Sequence, residues 1–379
     1  MAASRFDPVW TLLDRQRAGG RFPGYVAGIR QHGRTELRAG GTLAIEGRGP
    51  MRPDTIFRIA SLTKPVAGVL ALSLIGDGVF GLDDPVARWL PELAAPRVLR
   101  HADAELSDTV AAERPVLVRH LLSLTFGLGS IRQPSPLQAA ITERGVGPEK
   151  FPPAMTNDEY LARIGSLPLA FQPGDGWLYH TGSDVLGVLI ARASGKPVST
   201  LLAERITGPL GMDSTAFFAS DPHRLATGYQ PVDGRLELRD PPNGVFSRPP
   251  MFEALGSGLV STVGDYLAFL SIFTDPRDDV LAPELRTLMI TDSLDGRQRA
   301  AAQEVLGRGR SWGLQVAVTL PAAGPKQPPG RFGWDGGSGT TGYVDLRRDV
   351  TAVLFTQRGM VGPSYDFEEF WRAVRHCAR

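Results

Sequence analysis

The chain has 379 residues, 42% hydrophobic and 21% charged, the balance of a globular protein with room for one large or two smaller packed units. A net charge of +1 gives no electrostatic case for nucleic acid or an anionic membrane as partner, and no apolar run is long enough to span a bilayer. A single cysteine, Cys377, excludes an internal disulfide and fits a reducing compartment; with no secretory signal legible at the start, a cytoplasmic location is expected.

In chain order, Trp10 to Arg17 reads as a short amphipathic helix. Tyr25 to Arg30 and Thr35 to Ala39 flank the polar Gln31-His32-Gly33-Arg34 and read as a β-hairpin. Thr55 to Ile59 is a short strand or extended arm leading to an apolar helix that ends at Gly76-Asp77-Gly78. Asp83 or Asp84 is placed to cap a helix through Trp89. Helical pieces follow at 118–122, 158–164, 184–194 and 201–206. Between them, 134–153 is rich in Gly, Pro and charge and is expected to be a surface excursion. Beyond residue 225 the pattern returns to turns and strands: 229–238, then a helix from Thr262 through Phe273, strands at 311–318, 341–346 and 351–356, and a closing helix from Asp366 to Arg375. Strands at both ends around a helical middle predict an α+β fold. Residues 1–85 and 226–379 are expected to build an antiparallel sheet flanked by helices, 86–225 a mainly helical region, and the active site to lie between them.

The stretch Arg58-Ile-Ala-Ser-Leu-Thr-Lys-Pro holds the chemistry. Ser61 and Lys64 stand three apart at the head of the apolar run Val66 to Ile75, so on a helix both side chains share a face. A serine hydroxyl needs a base to become nucleophilic, and a lysine amine is a base only when neutral, the form that burial favours. Lysine is rare here: Lys64, Lys150, Lys196 and Lys326 are the only four among 41 basic residues. Arginine, used everywhere else, cannot lose its proton. Taken alone, the pair equally fits a helix-capping serine followed by a first-turn lysine. Pro65 disfavours helical geometry at Lys64, so an irregular first turn is expected.

Further stretches in order resemble the serine β-lactamase-like superfamily: class C β-lactamases, D-alanyl-D-alanine carboxypeptidases and family VIII carboxylesterases. They are Gly81-Leu-Asp-Asp-Pro-Val, Arg119-His-Leu-Leu-Ser-Leu-Thr-Phe-Gly-Leu, Phe171-Gln-Pro-Gly, Tyr179-His-Thr-Gly-Ser-Asp-Val-Leu-Gly, Gly208-Pro-Leu-Gly-Met, Gly256-Ser-Gly-Leu-Val-Ser-Thr and Trp334-Asp-Gly-Gly-Ser-Gly-Thr. Together with the serine–lysine stretch they cover roughly residues 20 to 370 and imply a β-lactamase/penicillin-binding-protein-like fold. The resemblance makes Ser61 the nucleophile and Lys64 its base. It makes Tyr179 the proton relay, a phenol whose ionisation a nearby ammonium eases. It places the oxyanion-binding N–H groups on Ser61 and Gly337. No metal and no cofactor are expected, since the six histidines are scattered without ligand spacing.

Two departures bear on substrate. Where lactamases carry Lys-Thr-Gly, this chain has Trp334-Asp335-Gly336, an apolar ring and an anion in place of a cation for a substrate carboxylate. Where they place an amide-holding asparagine, it has Thr181. His180 and Phe126 are further candidates to line the pocket, Phe126 with Trp177 and Met251-Phe252 as an apolar acyl site. The expected activity is hydrolysis of a small carboxylic ester through an acyl-enzyme on Ser61. The alternatives are a β-lactamase or peptidase, an acyltransferase to an alcohol or amine, and a non-catalytic binding module of the same fold.

Overall fold

The computed structural model describes residues 4–149, 151–275, 277–320, 330–362 and 367–378. After helix α1 (Asp7–Ala18), strands β1 (Gly24–Gln31) and β2 (Arg34–Gly41) pair antiparallel through the two-residue turn His32-Gly33. Both turn residues have positive φ, 50° and 74°, the twist that suits a tight hairpin. A two-residue strand, β3 (Phe57–Arg58), pairs with β4 (Val260–Ser261). The chain then makes a single 3₁₀ turn, Ala60–Leu62, before the α-helix α2 (Thr63–Gly76). The entry is irregular as expected, but the irregularity lies at 60–62, and Lys64 is helical in spite of Pro65. Gly78, at φ 72°, closes α2 with its N–H on the Ile75 carbonyl.

The middle of the chain is helical: α3 (Val118–Ser123), α4 (Pro136–Glu143), α5 (Asn157–Gly165) and α6 (Thr181–Ser194). Two expectations change here. The stretch 134–153 is not only a surface excursion: Ser135 caps α4, which buries Leu137, Ala140 and Ile141. Asp83 and Asp84 cap no helix, because Pro85 is extended and only the 3₁₀ turn Val86–Arg88 follows. Instead the Asp84 carboxylate accepts the Gly81 N–H at 2.7 Å, and Asp83 pairs with Arg119 at 2.5 Å. His120 accepts the Leu117 N–H through Nδ1 at 3.1 Å, closing the start of α3.

The final third supplies α7 (Val263–Ser271), then β5 (Arg310–Trp312), β6 (Ala317–Thr319), β7 (Arg331–Gly336), β8 (Thr340–Asp345), β9 (Val350–Thr356) and α8 (Glu368–Cys377). Asp366, the expected start of that last helix, lies outside the described residues. The strands form one seven-stranded antiparallel sheet in the order β2-β1-β9-β8-β7-β6-β5, so the two ends of the chain meet where β1 pairs β9. One face buries Tyr25, Ala27, Leu354 and their neighbours under α1 and α8. The other carries Val26, Val353 and Phe355 into the main core with α2 and α7. Val66, Ala67, Val69, Leu70, Ala71 and Leu72 are all fully buried, so α2 is apolar on every side, as a central core helix must be. No single helix among the described residues is long and apolar enough to cross a membrane.

A buried ion pair anchors the arm in front of α2. Arg58 donates to Asp240 at 2.5 Å, to the Ala226 carbonyl, and to the Pro241 carbonyl at 2.8 Å. Both charged partners are under 10% exposed. Asp240→Ala strands the guanidinium, and urea unfolding should show a loss of about 3 kcal/mol, with a larger drop for Asp240→Ala than for Asp83→Ala at the exposed Arg119 pair.

Candidate active site

Ser61 sits in the 3₁₀ turn at the mouth of α2, preceded by Ala60 at φ +45°. A non-glycine residue held in the left-handed region is a local strain of about 1 to 3 kcal/mol that the surroundings must over-determine. They do so from the sheet. Thr340 Oγ1 donates to the Ile59 carbonyl at 3.0 Å, and Ser338 Oγ donates to the Arg58 carbonyl. At Gly336 a Cβ would lie 2.2 Å from the Ile59 oxygen and 2.2 Å from Thr340 Oγ1, so only glycine lets β7 come this close. The end of β7 is thereby pressed against the arm that carries Ser61, and Gly337 borders the same cavities as Ser61.

One turn along, Lys64 is wholly buried. Its Nζ lies 3.4 Å from Ser61 Oγ, donates to the Gly256 carbonyl at 2.7 Å, and is 3.3 Å from His180 Nδ1. Burial lowers its pKa to about 7, with the Asp184 carboxylate opposing the shift. The apolar body of α2 causes this: it offers the ammonium no carboxylate of its own.

Tyr179 and His180 reach the site from the start of α6. His180 has φ 86° and ψ −68°, and the Thr181 N–H points back to the Tyr179 carbonyl at 3.3 Å. That is a γ-turn, a strained form that turns two consecutive side chains into one cleft. The Tyr179 ring lies 4.4 Å from Lys64 Nζ. Its hydroxyl accepts the Trp334 indole N–H at 2.6 Å, and rings of Trp177 and Trp334 pack at 5.8 and 5.7 Å. Burial raises the Tyr179 pKa, against hydrogen bonds from Ser61 and Trp334. This corrects the expectation of an easily ionised phenol: the neighbouring amine is itself depressed to about 7 and gives little help. At neutral pH Tyr179 carries its proton.

The structure separates the remaining candidates. His180 borders one part of the cleft, a cavity of about 190 Å³ that also holds Ser61, Tyr179 and Gly337. A second cavity of about 300 Å³ opens on the other side of Ser61, against Trp334, Val305 and Met360. Phe126 does not line either one; it is fully buried in the core. Thr181 is likewise away from both, its hydroxyl buried at the start of α6. Asp335 borders the second cavity, but its carboxylate accepts from Thr341 Oγ1 at 2.6 Å and Tyr343 at 3.0 Å, with Arg310 at 3.9 Å. The period-two alternation of β7 sends Trp334 towards Tyr179 and Asp335 to the opposite side. Trp177 lies behind Tyr179, Phe252 is core, and Met251 is 65% exposed.

Sequence reasoning passed over three contributors. Asp184 accepts from His180 Nε2 at 3.1 Å and from the Gly256 N–H at 2.7 Å. Its place four residues after His180, in the first turn of α6, was the available signal. Gly256 belonged to a matched stretch but carried no assigned contact. Phe151, from the stretch read as a surface excursion, forms part of the 190 Å³ cavity wall.

Comparison with known proteins gives the family. Esterase EstB of Burkholderia gladioli is 33% identical over 390 residues, spanning 95% of this chain and 92% of EstB. The acyltransferase CalJ of Penicillium decumbens is 30% identical over 353 residues, 86% of this chain and 81% of that one. Among solved structures, EstCE1, described as a hydrolase with promiscuous acyltransferase activity, superposes with a TM-score of 0.82 at 25% identity, covering 99% of this chain and 98% of its own. A family model described as Beta-lactamase matches residues 11–373, so nearly the whole chain, from α1 to α8, belongs to the beta-lactamase family.

Proposed function

We propose that this protein is a serine carboxylesterase that forms an acyl-enzyme on Ser61. The observation that carries the reading is a fully buried lysine amine, depressed to about 7, within 3.4 Å of a serine hydroxyl. Neutral Lys64 takes the Ser61 proton as the oxygen attacks the ester carbonyl. The Ser61 and Gly337 N–H groups receive the oxyanion. Tyr179, protonated and oriented by Trp334, gives its proton to the leaving alkoxide and is reprotonated through Lys64. Water then resolves the acyl-enzyme by the reverse route.

Two cavities meeting at Ser61 suit a substrate with two parts, an acyl group and an alcohol. Phe57, Phe151 and Phe246 on one side and Trp334, Val305 and Met360 on the other favour apolar groups in both. The indole at Trp334 offers no cation to a β-lactam carboxylate. A cytoplasmic location, with a small neutral ester as substrate, is part of the same proposal. Acyl transfer to an alcohol is a second reading, supported by the relatives named above as acyltransferase and as a hydrolase with promiscuous acyltransferase activity. Adding an acceptor alcohol and measuring transacylated product against hydrolysis decides how much of the flux it takes.

A short-chain nitrophenyl ester should turn over faster than a chromogenic cephalosporin; the reverse ranking would overturn the reading. A phosphonate should add once, on Ser61, by intact mass, and Ser61→Ala should show no adduct. Lys64→Ala and Tyr179→Phe should each lower kcat by about 10²- to 10⁴-fold with the circular dichroism unchanged.

The pH profile has a definite sign. The base works deprotonated and its pKa lies below the ordinary lysine value, so kcat/KM should be full at alkaline pH and fall about tenfold per unit below about pH 7. A profile flat from pH 5 to 8 would remove Lys64 as the base.

A further inference from the structure

The surroundings of Lys64 hold more than its burial. A neutral amine has two N–H bonds and one lone pair. Two acceptors stand beside Nζ: the Gly256 carbonyl at 2.7 Å and His180 Nδ1 at 3.3 Å. The third neighbour is Ser61 Oγ at 3.4 Å. If the two acceptors take the two N–H bonds, the lone pair is left for the serine proton.

Nδ1 accepts only if the proton of the neutral imidazole is on Nε2, and Asp184 fixes that. Its Oδ2 stands 3.1 Å from His180 Nε2, and an ionised carboxylate can only accept. The other oxygen of Asp184 receives the Gly256 N–H at 2.7 Å. One carboxylate therefore grips both acceptors of Lys64, the imidazole directly and the Gly256 peptide through its N–H. The packing is tight: a Cβ on Gly256 would lie 2.8 Å from His180 Nε2 and 2.9 Å from Asp184 Oδ1. The three side chains are buried, with His180 6% and Asp184 3% exposed and Lys64 wholly enclosed. The strained γ-turn at His180 points the ring here. Tyr179 beside the ring and Tyr160 near Asp184 are both kept protonated by burial, so Lys64 and Asp184 are the charges the imidazole meets at close range.

We propose that His180, held in its Nε2–H tautomer by Asp184, is a positioning residue that aims the Lys64 lone pair at Ser61. This rests on the reading of Lys64 as the base. The proton itself passes from Ser61 Oγ to Lys64 Nζ; His180 and Asp184 neither gain nor lose one. After the transfer, the new ammonium N–H faces Ser61 and its other two keep their acceptors.

Asp184→Asn tests the tautomer with little change in shape. In this variant the amide oxygen still accepts from Gly256, but the amide NH₂ now donates to Nε2, so the ring proton moves to Nδ1 and points at Lys64. The amine lone pair then accepts from the imidazole instead of from Ser61, as a reversed tautomer disables the base in a serine–histidine pair. Phosphonylation of Ser61 and ester kcat should both fall about 10²-fold, with KM within about threefold of native. Adding His180→Asn should recover about tenfold or more of that loss, because an amide oxygen at the Nδ1 position accepts from Lys64 whatever stands at 184, and asparagine tolerates the positive φ. A rate for Asp184→Asn within about threefold of native overturns the proposal, as does a double variant no faster than the single one. Should Asp184→Asn fail to fold, His180→Gly decides: slowing that free imidazole reverses supports the proposal, and no slowing, or slowing that imidazole leaves untouched, overturns it. Phosphonylation needs no ester turnover. If the native protein labels on Ser61 but leaves esters intact, the esterase reading fails while the effect of His180 is still measured.

Discussion

Taking an amine out of water without giving it a carboxylate is the constraint on which the rest of this structure depends. Lys64 lies on a helix that is apolar all round, and Asp184 acts on it across an imidazole. A buried ammonium in direct contact with a carboxylate would stay charged and useless as a base. A buried amine with no polar partner would lose too much on desolvation. The arrangement proposed for this site lies between these: two neutral acceptors take the N–H bonds, and the charge is held one residue away. Burial brings the pKa down to about 7, and the carboxylate of Asp184 at that remove limits the fall. Arginine, the usual cation of this chain, cannot take its place, since it does not lose its proton in a protein.

The serine hydroxyl reaches this amine through long-range packing. Ser61 is placed by an arm that Arg58 ties to Asp240 and that β7 and β8 press from the other side through Gly336, Ser338 and Thr340. The strain at Ala60 is thus held by residues far along the chain, from the opposite end of the sequence. The γ-turn at His180 is held in the same manner, by Asp184 below it and Trp334 above Tyr179. Two strained turns face each other across Lys64, and both are needed to bring hydroxyl, amine, imidazole and phenol together.

Much of this was legible in the sequence, and the parts that were not share a cause. The spacing of Ser61 and Lys64, the scarcity of lysine and the apolar run behind it expose the helix and its buried lysine. The hairpin at His32-Gly33 and the strands at 341–346 and 351–356 follow from alternation and turn chemistry. Phe126 misled because an aromatic in a matched stretch says nothing of which side it faces. Thr181 misled for the same reason: it sits next to a residue that does face the cleft, and one step along a turn reverses the direction of a side chain. The cavity walls from Phe151 and Phe246 come from loops whose composition records only that they are loops.

Trp334 ties the substrate question to the electrostatics. In the lactamase pattern this position carries a cation, which would bind a carboxylate and also draw a nearby phenol towards ionisation. Here an indole gives its one N–H to the Tyr179 oxygen and adds no charge. The phenol, pushed up by burial, keeps its proton. A tyrosine in that state is a poor base but a well-placed acid, and an alkoxide leaving an ester carbonyl is a strong base that needs a proton as it departs. In the proposed mechanism, proton removal from Ser61 then falls to Lys64, whose lower pKa suits it, and proton delivery to Tyr179. Environments that drive two pKa values apart divide the acid and base roles between them. On the proposed reading, an indole at 334 in place of a cation therefore does two things at once: it offers a β-lactam carboxylate no charge at that position, and it leaves Tyr179 in the protonation state that ester cleavage uses.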